Sequence, residues 1–449
     1  MSARLLVVFS VAAALWAQRN PKELLVQMSR RAVDSIDHGP RYIATETIER
    51  KYFEPHDSGR LHSCDDVAAE LKSAHGKFRL GRSRLATADT VRADVAVDGG
   101  TEMYSWVGEN HYTGPEEAIQ FADDRDSTQF LLDGAVTIGG VSSLVRIILS
   151  GDNDTLFTYN GDQVEEGRTL SEFGFSVLPD TSRLTFRIAS RQITTPYDGD
   201  ILVDPISGDL IRMVIRMAEI APSDGLCELT QTLDYGNVRL EGKEFLMPVQ
   251  ILTQLTKRDG IQYENRATYS NWRASSSPIA TPERLASGSP AVSAERAPSP
   301  GIRFTIALAQ PIDTATAAFG DRIQAKVTGD NVGNSSPRVA FPPGATVNGH
   351  IIKLLRVYGK TESSYSLTIL VRWETVTDGK GLRKFTARVA EPSRVLVGKF
   401  SGVDVGAPLK EANGFPVRIA DYGLFELPGL KPGHILRKWM PSKWKTAAP

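Results

Sequence analysis

The sequence predicts a mainly β protein in two folded parts, with one amphipathic helix opening the first. Three observations carry this. Short segments of alternating apolar and polar residues, bounded by Gly, Asp, Asn and Pro, recur from about residue 91 to residue 272 and again beyond residue 301. Sustained helical spacing is confined to a stretch near the start. Between the two β-rich parts, Ser, Pro and Ala make up 18 of the 27 residues from Ala274 to Pro300, with no aromatic among them. Such a segment buries too little apolar surface to offset its ordering entropy, so it reads as a tether.

Met1 to Gln18 has the three-part layout of a secretory signal peptide. Arg4 gives a positive start, Leu5 to Trp16 is an apolar run broken only by Ser10, and Ala17 offers a small residue for cleavage. No Cys follows the run, which excludes a lipid-modified mature N-terminus. After cleavage no apolar run reaches transmembrane length, so a periplasmic or secreted protein is expected.

The first part, residues 20–273, begins with a helix. Asn20 can cap it, Pro21 suits its first turn and Glu23 is placed as a capping partner. Leu24, Met28, Ala32 and Ile36 share one face, and Gly39-Pro40 ends it. Asp65 to Ala74 reads as a second helical stretch capped by Ser63, and Ser142 to Leu149 as a third. Val91, Ala93, Val95 and Val97 alternate as a half-buried strand. Asp98-Gly99-Gly100 then turns the chain into a hairpin with Thr101 to Val107. Further strands are expected at Thr155 to Tyr159, Arg183 to Ala189, Asp200 to Val203, Leu210 to Met217, Leu226 to Val238, Glu244 to Thr256 and Ile261 to Trp272. The second part, residues 301–440, has strand signals at Phe304 to Leu308, Arg322 to Val327, Ala345 to Val357, Tyr365 to Trp373 and Lys384 to Val389. Short strands without long helices suggest a small barrel or sandwich.

Composition narrows the function classes. Apolar residues are 41% and charged residues 23%, as in ordinary globular chains. A net charge of −1 gives no global field for nucleic acid. The only two cysteines, Cys64 and Cys227, can pair in an oxidising compartment or stand apart as small hydrophobes. No G-x-S-x-G, H-E-x-x-H, P-loop or C-x-x-C motif occurs, so no enzyme, catalytic residue, metal or cofactor is expected. A hydrolase with a non-standard site is the weakest alternative. His56 and His62 have a spacing that fits neither one helical face nor a hairpin, and read as surface histidines. Asp152-Asn153-Asp154 lacks the downstream Gly and Glu of a calcium loop and reads as a turn. Glu46 and Glu49 fall on opposite faces of a strand and form no acid/base pair. Glu49-Arg50-Lys51 reads as an exposed strand edge.

Two segments resemble the periplasmic lipoprotein-carrier and lipoprotein-sorting family. Asp200-Ile-Leu-Val-Asp-Pro-Ile-Ser-Gly-Asp-Leu-Ile-Arg212 is similar to its hairpin with an Asp-Pro-x-Ser/Thr-Gly turn. Phe245-Leu-Met-Pro-Val-Gln250 is similar to the Leu-Pro start of the strand that follows. The resemblance covers about residues 20–273. It implies a curved antiparallel half-barrel with helices plugging its concave side and acyl chains held within. Thr47-Ile-Glu-Arg50 and Glu102-Met-Tyr-Ser-Trp106 look like segments of uncharacterised secreted bacterial proteins of the same two-part layout. In the second part, Ala307-Leu308 to Pro311-Ile312, Gly320-Asp-Arg-Ile-Gln-Ala-Lys-Val327 and Phe341-Pro-Pro-Gly-Ala-Thr-Val-Asn-Gly349 resemble the small β-barrel of type IV secretion channel proteins.

Candidate ligand-facing residues in a half-barrel are Tyr42, Tyr52, Met103, Tyr104, Trp106, Phe186, Phe245 and Met247, for which filling an ordinary β core is the simpler reading. The C-terminal stretch, with residues 441–449 read as a basic tail, places Lys431, Arg437, Lys438, Lys443 and Lys445 around Trp439 and Trp444, a mixture suited to a membrane surface. Expected partners are therefore a lipid or lipoprotein, and an envelope protein docking through residues 301–440. A structural or interaction role in the envelope is the alternative.

Overall fold

The computed structural model describes residues 20–55, 63–73, 80, 83–99, 101–109, 112, 141–150, 154–182, 185–188, 191–221, 225–275, 301–329, 341–360, 362–379, 381–384, 386–391, 423–436 and 441–447. The residues read as a signal peptide, those read as a Ser/Pro/Ala-rich tether beyond residue 275, His56, His62, Asp152, Asn153, Arg437, Lys438 and Trp439 lie outside these residues, as does the Phe186 side chain. Among the described residues no helix is long and apolar enough to cross a membrane.

The first part contains α1 (Pro21–His38), β1 (Tyr42–Pro55), α2 (Cys64–Ser73), β2 (Ser83–Asp98), β3 (Thr101–Ser105) and α3 (Val141–Leu149). It continues through β4 (Leu156–Glu165), β5 (Arg168–Val177), β6 (Thr185–Ile188), β7 (Arg191–Thr194), β8 (Tyr197–Val203), β9 (Leu210–Ala221), β10 (Leu226–Leu240), β11 (Lys243–Lys257) and β12 (Gln262–Ala274). Apart from the β6–β7 hairpin, these strands form one antiparallel run in the order β4-β5-β8-β9-β10-β11-β12-β1-β2-β3. The run is open, because β4 and β3 are not paired to each other. It is the half-barrel expected. In β10 the sequence alternation becomes burial alternation: Cys227, Leu229, Gln231 and Leu233 point inward and their neighbours are half-exposed.

Several local expectations hold. The Asn20 side chain accepts from Lys22 N at 3.0 Å, capping α1. Ser63 Oγ accepts from Asp66 N, and the Asp66 carboxylate accepts from Ser63 N, both at 3.1 Å, forming a reciprocal cap on α2. The Asp98-to-Thr101 turn sets the β2–β3 register. Cys64 and Cys227 form a disulfide that ties α2 to β10.

Two strand readings need correction. The first β-hairpin strand does not stop at Tyr159. It runs to Glu165, because Asn160-Gly161 makes a bulge with Gly161 at φ +112° rather than a turn, and the turn comes at Glu166-Gly167. Glu49-Arg50-Lys51 is not a strand edge. β1 is flanked by β12 and β2, and Arg50 is buried against Asp89 on the neighbouring strand. Glu49 alone of the three is exposed.

The second part contains β13 (Arg303–Leu308), β14 (Ile312–Asp313), β15 (Arg322–Val327), β16 (Thr346–Tyr358), β17 (Tyr365–Asp378), β18 (Gly381–Lys384), β19 (Thr386–Glu391), β20 (Gly423–Leu430), β21 (Ile435–Leu436) and β22 (Pro441–Ala447). Pairing runs β22–β13–β15–β16–β17–β18, and β19, one residue past β18, returns to β22. The strands thus form a small closed ring, with β20 also on β17. Its core includes Phe304 against Phe341, with ring centroids 4.9 Å apart, and Trp373 edge-on to Trp444 at 5.8 Å. Residues 441–447 are therefore not a surface tail. They form an interior strand whose alternation turns Trp444 fully into the core, so Trp444 does not meet a membrane. Lys443 is exposed and Lys445 half-buried on that strand, and Lys431 is exposed before β21.

The two parts are joined by more than the linker. Strand β16 pairs with β2 through Leu355↔Asp89, Arg356↔Ala88 and Val357↔Thr87. Phe319 extends the seam, donating its N–H to Thr90 O at 2.8 Å and accepting from Arg92 N at 2.7 Å. Arg92 also pairs with Asp321, and Leu85 N donates to Glu362 Oε1 at 3.0 Å. The outer edge of β2, which would otherwise expose unpaired backbone groups, is thereby covered. Gly320 makes this possible: it holds φ +94°, and a Cβ there would lie 2.0 Å from Arg92 O. Gly320→Ala is expected to cost about 2 kcal/mol in urea unfolding, through φ strain and displacement of the Arg92 carbonyl. Gly359→Ala, where nothing lies within 4 Å, is the control.

Candidate functional site

Helices α1 and α3 lie on one face of the open sheet. Leu24, Met28 and Ala32 of α1 and Leu144, Val145 and Ile148 of α3 are buried against the apolar face of β5, β8, β9 and β10. Helical spacing in the sequence dictates this, since it puts those side chains on one stripe of each helix. Polar contacts fix α1 at its flank. Arg31 pairs with Asp209 at 2.9 Å and also donates to Ser207 O, Gln27 Nε2 donates to Ser207 O at 3.3 Å, and Ser35 Oγ donates to Leu246 O at 3.1 Å. The Asp204-to-Gly208 turn supplies the Ser207 carbonyl. Its Asp204 carboxylate accepts from Ile206 N and Ser207 N at 2.8 and 3.1 Å, and Gly208 takes φ +76°. Burial alone would raise the Asp204 carboxyl, but these backbone donors and Arg168 hold it below the usual range.

Between the C-terminal half of α1 and the sheet lies a cavity of about 40 Å³, lined mainly by Ala32, Ile36, Tyr42, Val97, Tyr235, Leu246 and Met247 and reaching Gly39-Pro40. That volume is near the share of one water in the liquid, about 30 Å³, and far below the few hundred Å³ of a ligand pocket. Among the described residues, α1 and α3 fill this part of the half-barrel's face.

The same helix-facing side carries a buried polar constellation. Register places Tyr42 opposite Val97, Ala44 opposite Val95, Glu102 opposite Val97 and Tyr104 opposite Val95, so these residues share a face with Glu46. Glu46 is 6% exposed and accepts from Tyr269 Oη at 2.9 Å. Tyr104 Oη donates to Glu102 at 2.9 Å. Burial, reinforced by the neighbouring Glu102 charge and only partly offset by Tyr269, pushes the Glu46 carboxyl up to about 7. Burial and the two carboxylates likewise raise the Tyr42 and Tyr269 hydroxyls. No ion pair to Glu46 is present among the described residues. A buried carboxyl held near neutrality, on the same face of β1 as the cavity-lining Tyr42, can donate or accept a proton or hydrogen bond.

The sequence candidates therefore separate. Tyr42 and Met247 line the cavity, and Phe245 packs on the cluster around them. Tyr104 lies on the same face beside Glu102. Met103 turns to the opposite face, packing with Ala96 and Tyr112. Tyr52 packs against Tyr263 farther along β1, with ring centroids 5.1 Å apart. Trp106 sits at the seam, against Phe319 and His350 at 5.3 and 4.9 Å. Glu46 and Glu102, 56 positions apart in the chain, carry no local sequence signal as a pair. The hairpin turn signals the Glu102 register, but nothing local signals that β1 lies beside β2.

The second part holds a larger open groove of about 480 Å³. Its lining includes the apolar Leu308, Pro311, Ile312 and Ile323 and the polar Gln310, Asp313, Arg322 and Gln324.

No protein-family model and no curated protein matches the chain. Among solved structures, a DUF1329 family protein from Desulfovibrio piger is similar at 10% identity and TM-score 0.26, over 58% of this chain and 95% of that one. An outer membrane lipoprotein-sorting protein domain from Vibrio parahaemolyticus is similar at 11% identity and TM-score 0.25, over 58% and 95%. The Mycobacterium tuberculosis lipoprotein LppX is similar at 10% identity and TM-score 0.19, over 58% and 100%.

Proposed function

We propose that the chain is an exported binding protein of the cell envelope whose half-barrel takes up an amphiphile, a lipid or the acyl chains of a lipidated segment, beneath α1 and α3. One observation carries the reading: Glu46, buried on the face of β1 that also carries Tyr42, is hydrogen-bonded to Tyr269 but has no ion-pair partner among the described residues. A buried carboxyl without a counter-charge costs stability, and such costs concentrate at functional sites. In the bound state, acyl carbon replaces helix contacts and a donor on the ligand's head meets Glu46, Tyr269 or Tyr42. Because the cavity holds about 40 Å³, uptake requires α1 and α3 to swing away from the sheet. The polar clips on Arg31 and Ser35 are the contacts that would open.

The test is native mass spectrometry of the full chain produced through the secretory route, with lipid extraction of the same sample. A bound mass of lipid size is expected. It should be weaker in Ala32→Val, which adds two methyl groups at the cavity wall at a cost of about 1–3 kcal/mol. A clean apo mass, with no uptake of a fluorescent acyl probe, would remove the carrier reading.

A second reading, an interaction protein docking through residues 301–440, has its own support in the 480 Å³ groove. A groove of mixed apolar and polar lining suits an extended peptide segment. Loss of co-purifying envelope proteins on substituting Ile312 and Ile323 by Asp would favour it, and unchanged partners would count against it.

A further inference from the structure

Where the two parts meet, three ligand-type side chains converge. Glu109 comes from the turn after β3, His350 from β16 and Glu374 from β17, with donor atoms within 4.8 Å of one another. Local structure holds each in place. The turn carrying Glu109 closes through Glu109 N to Trp106 O at 2.9 Å, and Gly108 N is anchored at 3.0 Å on the buried Asp94 carboxylate. His350 lies between two β-bulges, at Asn348/Gly349 and Ile351/Lys353. Bulges re-aim side chains and recur beside functional sites.

His350 is 2% exposed, and its two ring nitrogens differ. Nδ1 meets Glu374 Oε2 at 3.0 Å, a hydrogen bond. Nε2 is buried with no hydrogen-bond partner among the described residues, and points at Glu109 Oε1 from 3.6 Å. That separation is too long for a hydrogen bond. It is close to the roughly 3.4 Å between a nitrogen and an oxygen that share one tetrahedral cation at about 2.1 Å each. A carboxylate on Nδ1 fixes the tautomer that leaves the Nε2 lone pair available, the arrangement metal-binding histidines use. Arg372 holds Glu374 Oε1 at 2.7 Å, so Glu374 serves His350 and Arg372 while Glu109 faces the gap. The Trp106 ring stacks on the imidazole at 4.9 Å and shields one side of it.

We infer that His350 Nε2 and Glu109 hold a divalent transition cation of the zinc class across the seam, with Glu374 as the positioning residue and water completing the shell. An imidazole donor favours zinc over magnesium or calcium, which take oxygen ligands. Because Glu109 belongs to the first part and His350 to the second, the cation ties the two together.

The experiment is calorimetric titration of the chelator-treated full chain with zinc chloride, with thermal unfolding read with and without the metal. One equivalent is expected to bind and to raise the unfolding temperature. His350→Gln should lose the binding at least 100-fold, Glu109→Gln at least tenfold, and Glu374→Gln between ten- and 100-fold through loss of orientation. Glu109 lies on a half-exposed turn, so its variant reports even where His350→Gln unfolds. Absence of binding, or binding that both Glu109→Gln and Glu374→Gln leave unchanged, overturns the site.

Discussion

Replacing Cys64 and Cys227 by Ser is expected to lower the unfolding free energy by about 5 kcal/mol, the chain-entropy cost of opening so long a loop. The sequence separation is 163 residues, which begins with α2 and includes β2 to β9 and α3. The bond therefore restricts most of the first part's unfolded ensemble. It also has a local effect. α2 has only ten residues, and a helix of that length is marginal without tertiary support. Its buried Val67 and the disulfide to Cys227, itself 4% exposed on β10, supply that support. Urea unfolding of the oxidised chain and of the double variant measures the difference. A loss below about 1 kcal/mol would show that the unfolded ensemble is already compact between these positions. In hydrogen exchange, α2 amides should lose protection first in the variant. The bond is of a kind that persists in oxidising compartments, in keeping with the exported reading.

What the sequence made legible was local. The Asp98-Gly-Gly turn, the α1 stripe and the alternation of Leu226 to Val238 each depend on residues a few positions apart, and each is present as read. The misreadings concern which strand lies beside which. Alternation around Glu49-Arg50-Lys51 says that these residues line a strand, but not that β12 and β2 flank it. Arg50 is tolerated inside because Asp89 meets it from β2, and Lys51 meets Glu264 on β12 at 3.2 Å. Around Trp444 the basic composition suggested a surface, yet the two-residue period sends Trp444 and the lysines to opposite sides. The candidate site was half legible for the same reason. Tyr42, Tyr104 and Met247 stood out by type. Glu46 and Glu102 became a pair only when β1 settled beside β2, and the His350 cluster only when the two parts met along β2 and β16.

Glu46→Gln is expected to remove roughly 3 kcal/mol of pH-dependent destabilisation, making the variant more stable than the parent at pH 8 and nearly equal to it at pH 5. The Glu46 carboxyl rises from 4.5 to about 7 in the fold. Below about 4.5 both folded and unfolded chains hold its proton, and burial carries no charge penalty. Between about 4.5 and 7 the unfolded chain has released the proton and the folded chain keeps it, so stability falls as pH rises. Above about 7 both states are ionised and the penalty is complete. Asp204 and Glu374 have the opposite sign: their folded carboxyls are lowered, so their stability is present above the usual carboxylate range and is lost in acid. Subtracting the profile of Glu46→Gln from that of the parent cancels those contributions and leaves the slope of the Glu46 site. Gln retains an acceptor for Tyr269 Oη, which keeps the substitution from opening an unsatisfied donor. Because Glu102 raises Glu46 by its charge, Glu102→Gln should shift the midpoint of the parent's decline to lower pH. Parallel unfolding profiles for parent and Glu46→Gln from pH 5 to 8 would contradict the burial of an unpaired carboxyl and, with it, the observation on which the amphiphile reading rests. If a ligand head donates to Glu46, the loaded protein must show a shallower decline than the empty one, since the donor stabilises the ionised form that burial disfavours.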